Sequence, residues 1–282
     1  MDDLRCTVDT DTRWRQTNLT FGDWQIAEQA AVAFLGPRLT DAENAGHITA
    51  WWFVRKRATW RLRYLPTTGR QEQAAAVLDE LTHDLLAHGG LCDVATVIYE
   101  PETHAFGGPE AMQVTHVLFH ADSRHLLNHL QRSSKALRHE LGLLLGGRLM
   151  RAAGQDWYEQ GDIWAHVAAH RSTGDNSPLA PDPAAVRLFI TARDDGEHSP
   201  LRNAPAWATA FEQAGWQVAE LAQRGTLTRG LRAILAHHVL FAWNRAGVAA
   251  HHQALLAATA SEVVFGQGSV SAERTVSSPP SL

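Results

Sequence analysis

Apolar positions along the chain change period near residue 109, and that change divides it. Residues 14–21 alternate loosely and carry threonine and aromatic side chains, the mark of a strand. Gly22-Asp23 breaks the run, and the alanine-rich residues 24–35 read as a helix with Asp23 as N-cap, ending before Pro37. Residues 48–55 and 59–65 are β-branched and aromatic, joined across Lys56-Arg57-Ala58, which predicts a hairpin stopped by Pro66. Residues 72–88 space their apolar positions helically up to Gly89-Gly90, and 92–99 return to a strand pattern. The predicted order, β-α-β-β-α-β, is that of a ferredoxin-like unit.

After Gly107-Gly108-Pro109 the period is helical throughout. Apolar stripes cover 110–120, 123–132, 135–153 and 157–170, then, beyond a loop at 172–182, 205–223, 228–244 and 251–265. Residues 266–282 have no apolar pattern and are expected to be disordered. The expected fold class is α+β: a ferredoxin-like βαββαβ unit packed with a mostly helical C-terminal half. Residues 1–265 are expected to form a single module, sheet-bearing over 10–108 and helical over 109–265.

Composition narrows the function classes. The 282 residues and 45% hydrophobic content suit a packed core. The net charge of −5 argues against a protein that grips nucleic-acid phosphates. No window approaches the roughly 20 apolar residues of a membrane span, and Met1-Asp2-Asp3-Leu4-Arg5 is unlike a secretory signal. Two cysteines, Cys6 and Cys92, make no disulfide framework, so a cytoplasmic location is expected.

Sixteen histidines raise metal binding, with His237-His238, His251-His252 and the His125/His129 pair as the clusters. None sits in a His-Glu-x-x-His or comparable trio, so no metal site is expected. There is no Gly-x-Ser-x-Gly elbow, and the doublet Gly107-Gly108 is too short for a dinucleotide fingerprint and lacks a phosphate-loop lysine, so no cofactor is expected. Two segments carry more. Arg61 and Arg63 share a strand face opposite Trp60, Leu62 and Tyr64, either as a solvated edge or as a cation row for a peptide. Residues 99–109, Tyr-Glu-Pro-Glu-Thr-His-Ala-Phe-Gly-Gly-Pro, form a dense loop leaving a strand end, a common seat of function.

That loop resembles the Tyr-x-Pro-Glu-x-x-Arg-[Phe/Tyr]-Gly-Gly motif of the glutamate-elimination domain of lantibiotic dehydratases, which also occurs as stand-alone thiopeptide-type bacteriocin biosynthesis proteins. Trp52-Phe53-Val54-Arg55 with Arg61-Leu62-Arg63, then Phe119-His120-Ala121-Asp122-Ser123, then residues 237–247 (HHVLFAWNRAG) resemble further family elements in the same order. Two departures bear on the activity. The family's loop arginine is replaced by Ala105, and the histidine shortly before the Asn-Arg pair is absent from 239–243, with His237 and His238 one to two turns out of register.

Family members with such losses resemble the pyridine synthases of thiopeptide assembly. The resemblance implies a formal aza-[4+2] cycloaddition of two dehydroalanines in a linear, azole-bearing peptide, followed by loss of water and of the leader peptide. It implies a leader-plus-core precursor peptide as partner, prepared by a split dehydratase and azole-forming enzymes, since a chain of this length lacks a glutamylation region. A stand-alone glutamate eliminase with relocated groups and a non-catalytic peptide-binding member remain as alternatives. The residues so implied are Ser123, His129 and Gln253 for the chemistry. Arg61, Arg63, Tyr99, Glu102, Asn244 and Arg245 are implied for substrate binding, with a structural role open for each.

Overall fold

A computed structural model describes residues 13–132, 137–171, 180–192 and 199–266. They fall into two compact units, one drawn from Met1–Glu102 and His116–Ala136, the other from Thr103–Thr115 and Leu137–Leu282.

The first unit follows the predicted element order. Strands β1 (Arg15–Phe21), β2 (Ile48–Lys56), β3 (Thr59–Pro66) and β4 (Leu91–Val97) form an antiparallel sheet in the order β2-β3-β1-β4. Helices α1 (Trp24–Ala30), α2 (Gly36–Asn44) and α3 (Gln71–His88) intervene. Asp23 caps α1 as its position predicts, accepting from the amides of Gln25 and Ile26. Pro37, however, does not end the helical run. A π-turn at Ala31–Leu35 leads directly into α2, and its wider i→i−5 bonding lets the proline sit near the start of α2 within one continuous helical run.

The register places Trp52 and Gln16 on either side of Arg63 on one sheet face, and Phe53 opposite Leu62 on the other. Phe53 stacks on Trp60 at 4.4 Å, and Arg55 lies over Trp60 while pairing with Glu28 of α1 at 2.5 Å. Helix α4 (Pro109–Arg132) covers the opposite face, with Phe119 4.8 Å from Trp52 and His116 4.7 Å from Trp14. The solvated-edge reading therefore fails for Arg63. It lies on a central strand and is 2% exposed, whereas Arg61 is half-buried.

Helix α4 is continuous where two helices were expected. Neither glycine nor proline interrupts it, and Ser123, where the second helical stripe was expected to begin, lies buried with Asp122 in its interior. Residues 109–115 of α4 belong to the second unit and 116–132 to the first.

The second unit is helical: α5 (Arg138–Ala152), α6 (Trp157–Ala169), α7 (Pro183–Thr191), α8 (Pro205–Gln223), α9 (Leu231–Ala246) and α10 (Ala250–Phe265). Helix α5 is buried continuously from Leu141 to Met150, the expected state of a helix apolar on all sides. Its neighbours α7, α8 and α9 pack around it. Helix α7 adds to the helices that periodicity predicts, although Asp182 caps it and Pro183 opens it, a legible start signal. Most of the expected 172–182 loop and nearly all of the 266–282 tail lie outside the described residues.

Candidate functional site

In the first unit, polar side chains gather around Tyr99, just beyond the end of β4. The Tyr99 hydroxyl lies 2.8 Å from Nε2 of His116. Burial, with a smaller contribution from the Arg63 charge, lowers the His116 pKa to about 4, so the ring is neutral. The Arg63 guanidinium sits over the rings of Trp52 (4.3 Å) and Tyr99 (5.3 Å), and its Nε donates to Gln16 Oε1 at 2.7 Å. Glu102 is half-buried, with Oε2 shielded from water and without a hydrogen-bond partner among the described residues.

Ser123 is fully buried in α4, and its Oγ accepts the Phe53 amide at 3.3 Å. One turn earlier, His120 Nδ1 lies 2.9 Å from the Trp51 carbonyl. Both side chains meet the outer edge of β2, whose only strand partner among the described residues is β3. His129, in the last turn of α4, is half-buried.

In the second unit, Gln253 and Asn244 meet at an arginine that sequence reasoning missed. Arg171 donates through Nε to Gln253 Oε1 (2.7 Å) and through Nη2 to Asn244 Oδ1 (3.3 Å). Gln253 Nε2 donates to Asn244 Oδ1 (3.0 Å) and to the Val248 carbonyl (2.8 Å). The Gln253 amide therefore locks the α9–α10 turn to the end of α6. Desolvation lowers the Arg171 pKa. Arg245 is fully buried within α9.

The glycine loop of residues 103–108 packs against the start of α9. Gly107 and Gly108 adopt φ of +91° and +111°, and the Gly107 carbonyl accepts the Thr228 amide at 3.0 Å. This pairing brings Arg229 to the loop, where its Nη1 donates to the Ala105 carbonyl at 3.0 Å. The same nitrogen lies 3.3 and 3.5 Å from the two ring nitrogens of His237. An arginine and a histidine thus stand beside Ala105, where the motif had lost its arginine. No signal in the local sequence marks Arg229, because the contact joins positions 124 residues apart.

His237 donates from Nδ1 to the Ala233 carbonyl at 3.0 Å, and the His170 ring lies 4.9 Å away. Burial first, then the Arg229, His170 and Arg171 charges, lower its pKa. The neighbouring His238 is fully buried, donating from Nδ1 to the Ile234 carbonyl (2.9 Å) with Nε2 3.1 Å from the Thr115 hydroxyl. Burial lowers its pKa to about 4. Among the described residues no group of three or more His, Cys, Asp or Glu is arranged to hold a metal ion, and no helix is long and apolar enough to cross a membrane.

The antiparallel sheet and the helical second unit make this an α+β protein. The profile of the family described as "Lantibiotic biosynthesis dehydratase C-term" matches residues 14–264, and the chain belongs to that family. The tRNA-dependent lantibiotic dehydratase MibB from Microbispora sp. 107891 shares the fold at 20% identity and a TM-score of 0.63 over 93% of this chain, which spans only 28% of MibB. TbtD, a pyridine synthase from thiomuracin biosynthesis, aligns at 14% identity and a TM-score of 0.59, covering 92% of this chain and 99% of TbtD. TsrL aligns at 14% identity and a TM-score of 0.53, covering 91% and 95% of the two chains. No curated protein sequence matches the chain.

Proposed function

We propose that the chain is a pyridine-forming cyclase of thiopeptide biosynthesis, acting in the cytoplasm on a leader-bearing peptide with two dehydroalanines. The observation that carries this reading is the pair of departures at Ala105 and at residues 239–243, which removes the elimination groups of the dehydratase pattern while the fold is kept. The β2-β3-β1-β4 order supports reading the first unit as ferredoxin-like.

Cyclisation is largely a matter of holding two alkenes of one peptide in register, where positioning alone is worth about 7–11 kcal/mol of the barrier. Flat azoles suit aromatic walls. In this reading Ser123, His129 and Gln253 serve the polar steps. Arg61, Arg63, Tyr99, Glu102, Asn244 and Arg245 shape the peptide site, with Asn244 and Gln253 held by Arg171.

Incubation of the purified protein with a linear bis-dehydroalanine peptide, followed by mass spectrometry, tests the proposal. The expected products are a macrocycle and a leader carboxamide. Glutamate released from a glutamylated peptide, with no macrocycle, would replace this reading by a relocated eliminase. The Arg229–His237 pair beside Ala105 is the observation favouring that second reading. Leader binding without either product would leave a presenting protein.

A further inference from the structure

His237 has the attributes of a general base. Donation from Nδ1 to the Ala233 carbonyl fixes the tautomer and leaves the lone pair on Nε2. The ring is half-buried, so a substrate can reach it. Arg229 Nη1, which donates to the Ala105 carbonyl at 3.0 Å, also lies 3.3 Å from Nδ1 and 3.5 Å from Nε2, within hydrogen-bond reach of the ring.

The groups around the ring are cationic or neutral: Arg229 at its edge, the His170 ring at 4.9 Å, and Arg171 next in sequence to His170. Neither Arg171 nor Arg229 forms an ion pair with a carboxylate among the described residues. Such a field keeps the imidazole unprotonated, and so able to accept a proton, and offers positive charge to an oxygen that becomes anionic. The fall in the His237 pKa agrees with this placement.

We infer that His237 and Arg229 form a proton-transfer pair that expels the leader peptide in the last, aromatising step of the proposed cyclisation. The assignment rests on the cyclase reading. In that step a C–H bond of the dihydropyridine breaks and its proton passes to His237 Nε2. The electron pair becomes the final ring double bond, and the adjacent C–N bond to the leader amide breaks. The departing nitrogen takes the proton back from the imidazolium, giving a leader carboxamide and a pyridine with no oxidant consumed. Arg229 stabilises the charge on the amide oxygen as the bond breaks, and its tie to the Ala105 carbonyl fixes its position.

The test follows the full-length protein acting on a linear bis-dehydroalanine peptide, with leader-bearing and leader-free species resolved by mass over time. With His237→Gln or Arg229→Gln, the linear peptide is still consumed, which shows that the variant is folded. A cyclised species that retains the leader and has lost one water accumulates, and leader carboxamide appears roughly a hundredfold more slowly. Leader release at the unaltered rate in both variants overturns the assignment while leaving the cyclase reading intact. Loss of peptide consumption together with release places the pair in the first step instead and likewise overturns it. If the unaltered protein forms no macrocycle, the cyclase reading falls and the assignment with it.

Discussion

Gly107 is held at φ +91°, and a Cβ there would come within 2.4 Å of Ile234 Cδ1 on the first turn of α9. Alanine at this position combines left-handed strain with overlap against a packed side chain. Gly107→Ala is therefore expected to cost about 2–4 kcal/mol, read as a lower urea midpoint. Gly22→Ala, whose Cβ would meet only Cys92 Sγ at 3.9 Å, is the matched control and is expected to change stability by less than about 0.5 kcal/mol. The Gly-Gly doublet was legible in the sequence as a special turn because glycine alone enters that region freely. Arg229 and Arg171 were not, since each acquires its meaning from partners 124 and 82 residues away that only the fold brings near. Arg63 was legible as a face-sharing cation but not as a buried one, because alternation identifies a face without saying what covers it.

Among the elements, α4 contributes to the sheet as an edge cover. Strand β2 presents backbone groups away from β3, and α4 meets them with His120 at Trp51 and Ser123 at Phe53. Removing the Ser123 hydroxyl leaves a buried N–H without an acceptor. Ser123→Ala should destabilise the protein by about 1–3 kcal/mol in urea unfolding and speed hydrogen exchange at the Phe53 amide, whatever it does to turnover. Most elements were readable because strands of period two and helices of period 3.6 differ plainly over seven or more residues. The failures share a cause in local competition. The π-turn at Ala31–Leu35 lets Pro37 ride inside a helical run, and the interior of α4 tolerates an Asp-Ser pair that elsewhere begins a helix. Short α7 fell below the length at which periodicity speaks, although its Asp-Pro start was visible.

At the scale of the whole molecule, each unit carries, among the described residues, a buried neutral histidine, His116 in the first and His238 in the second, both with pKa lowered to about 4. Each ring is neutral for the same structural reason: burial desolvates it and penalises the charged form. In the unfolded chain the same side chains titrate near the ordinary value of about 6.5. Between those two values the unfolded state binds more protons than the folded one, so stability must rise with pH across that interval. Above pH ~6.5 these groups leave stability flat, and below it each withdraws up to about 3 kcal/mol as pH falls toward ~4. Urea unfolding from pH 7.5 down to 4.5 should therefore show a steep acid-side loss. His116→Gln and His238→Gln should each start from a lower stability at neutral pH, through lost packing, yet show a shallower acid slope. A slope unchanged in both variants would mean that the two rings accept protons in the folded state as readily as in water, which their burial forbids.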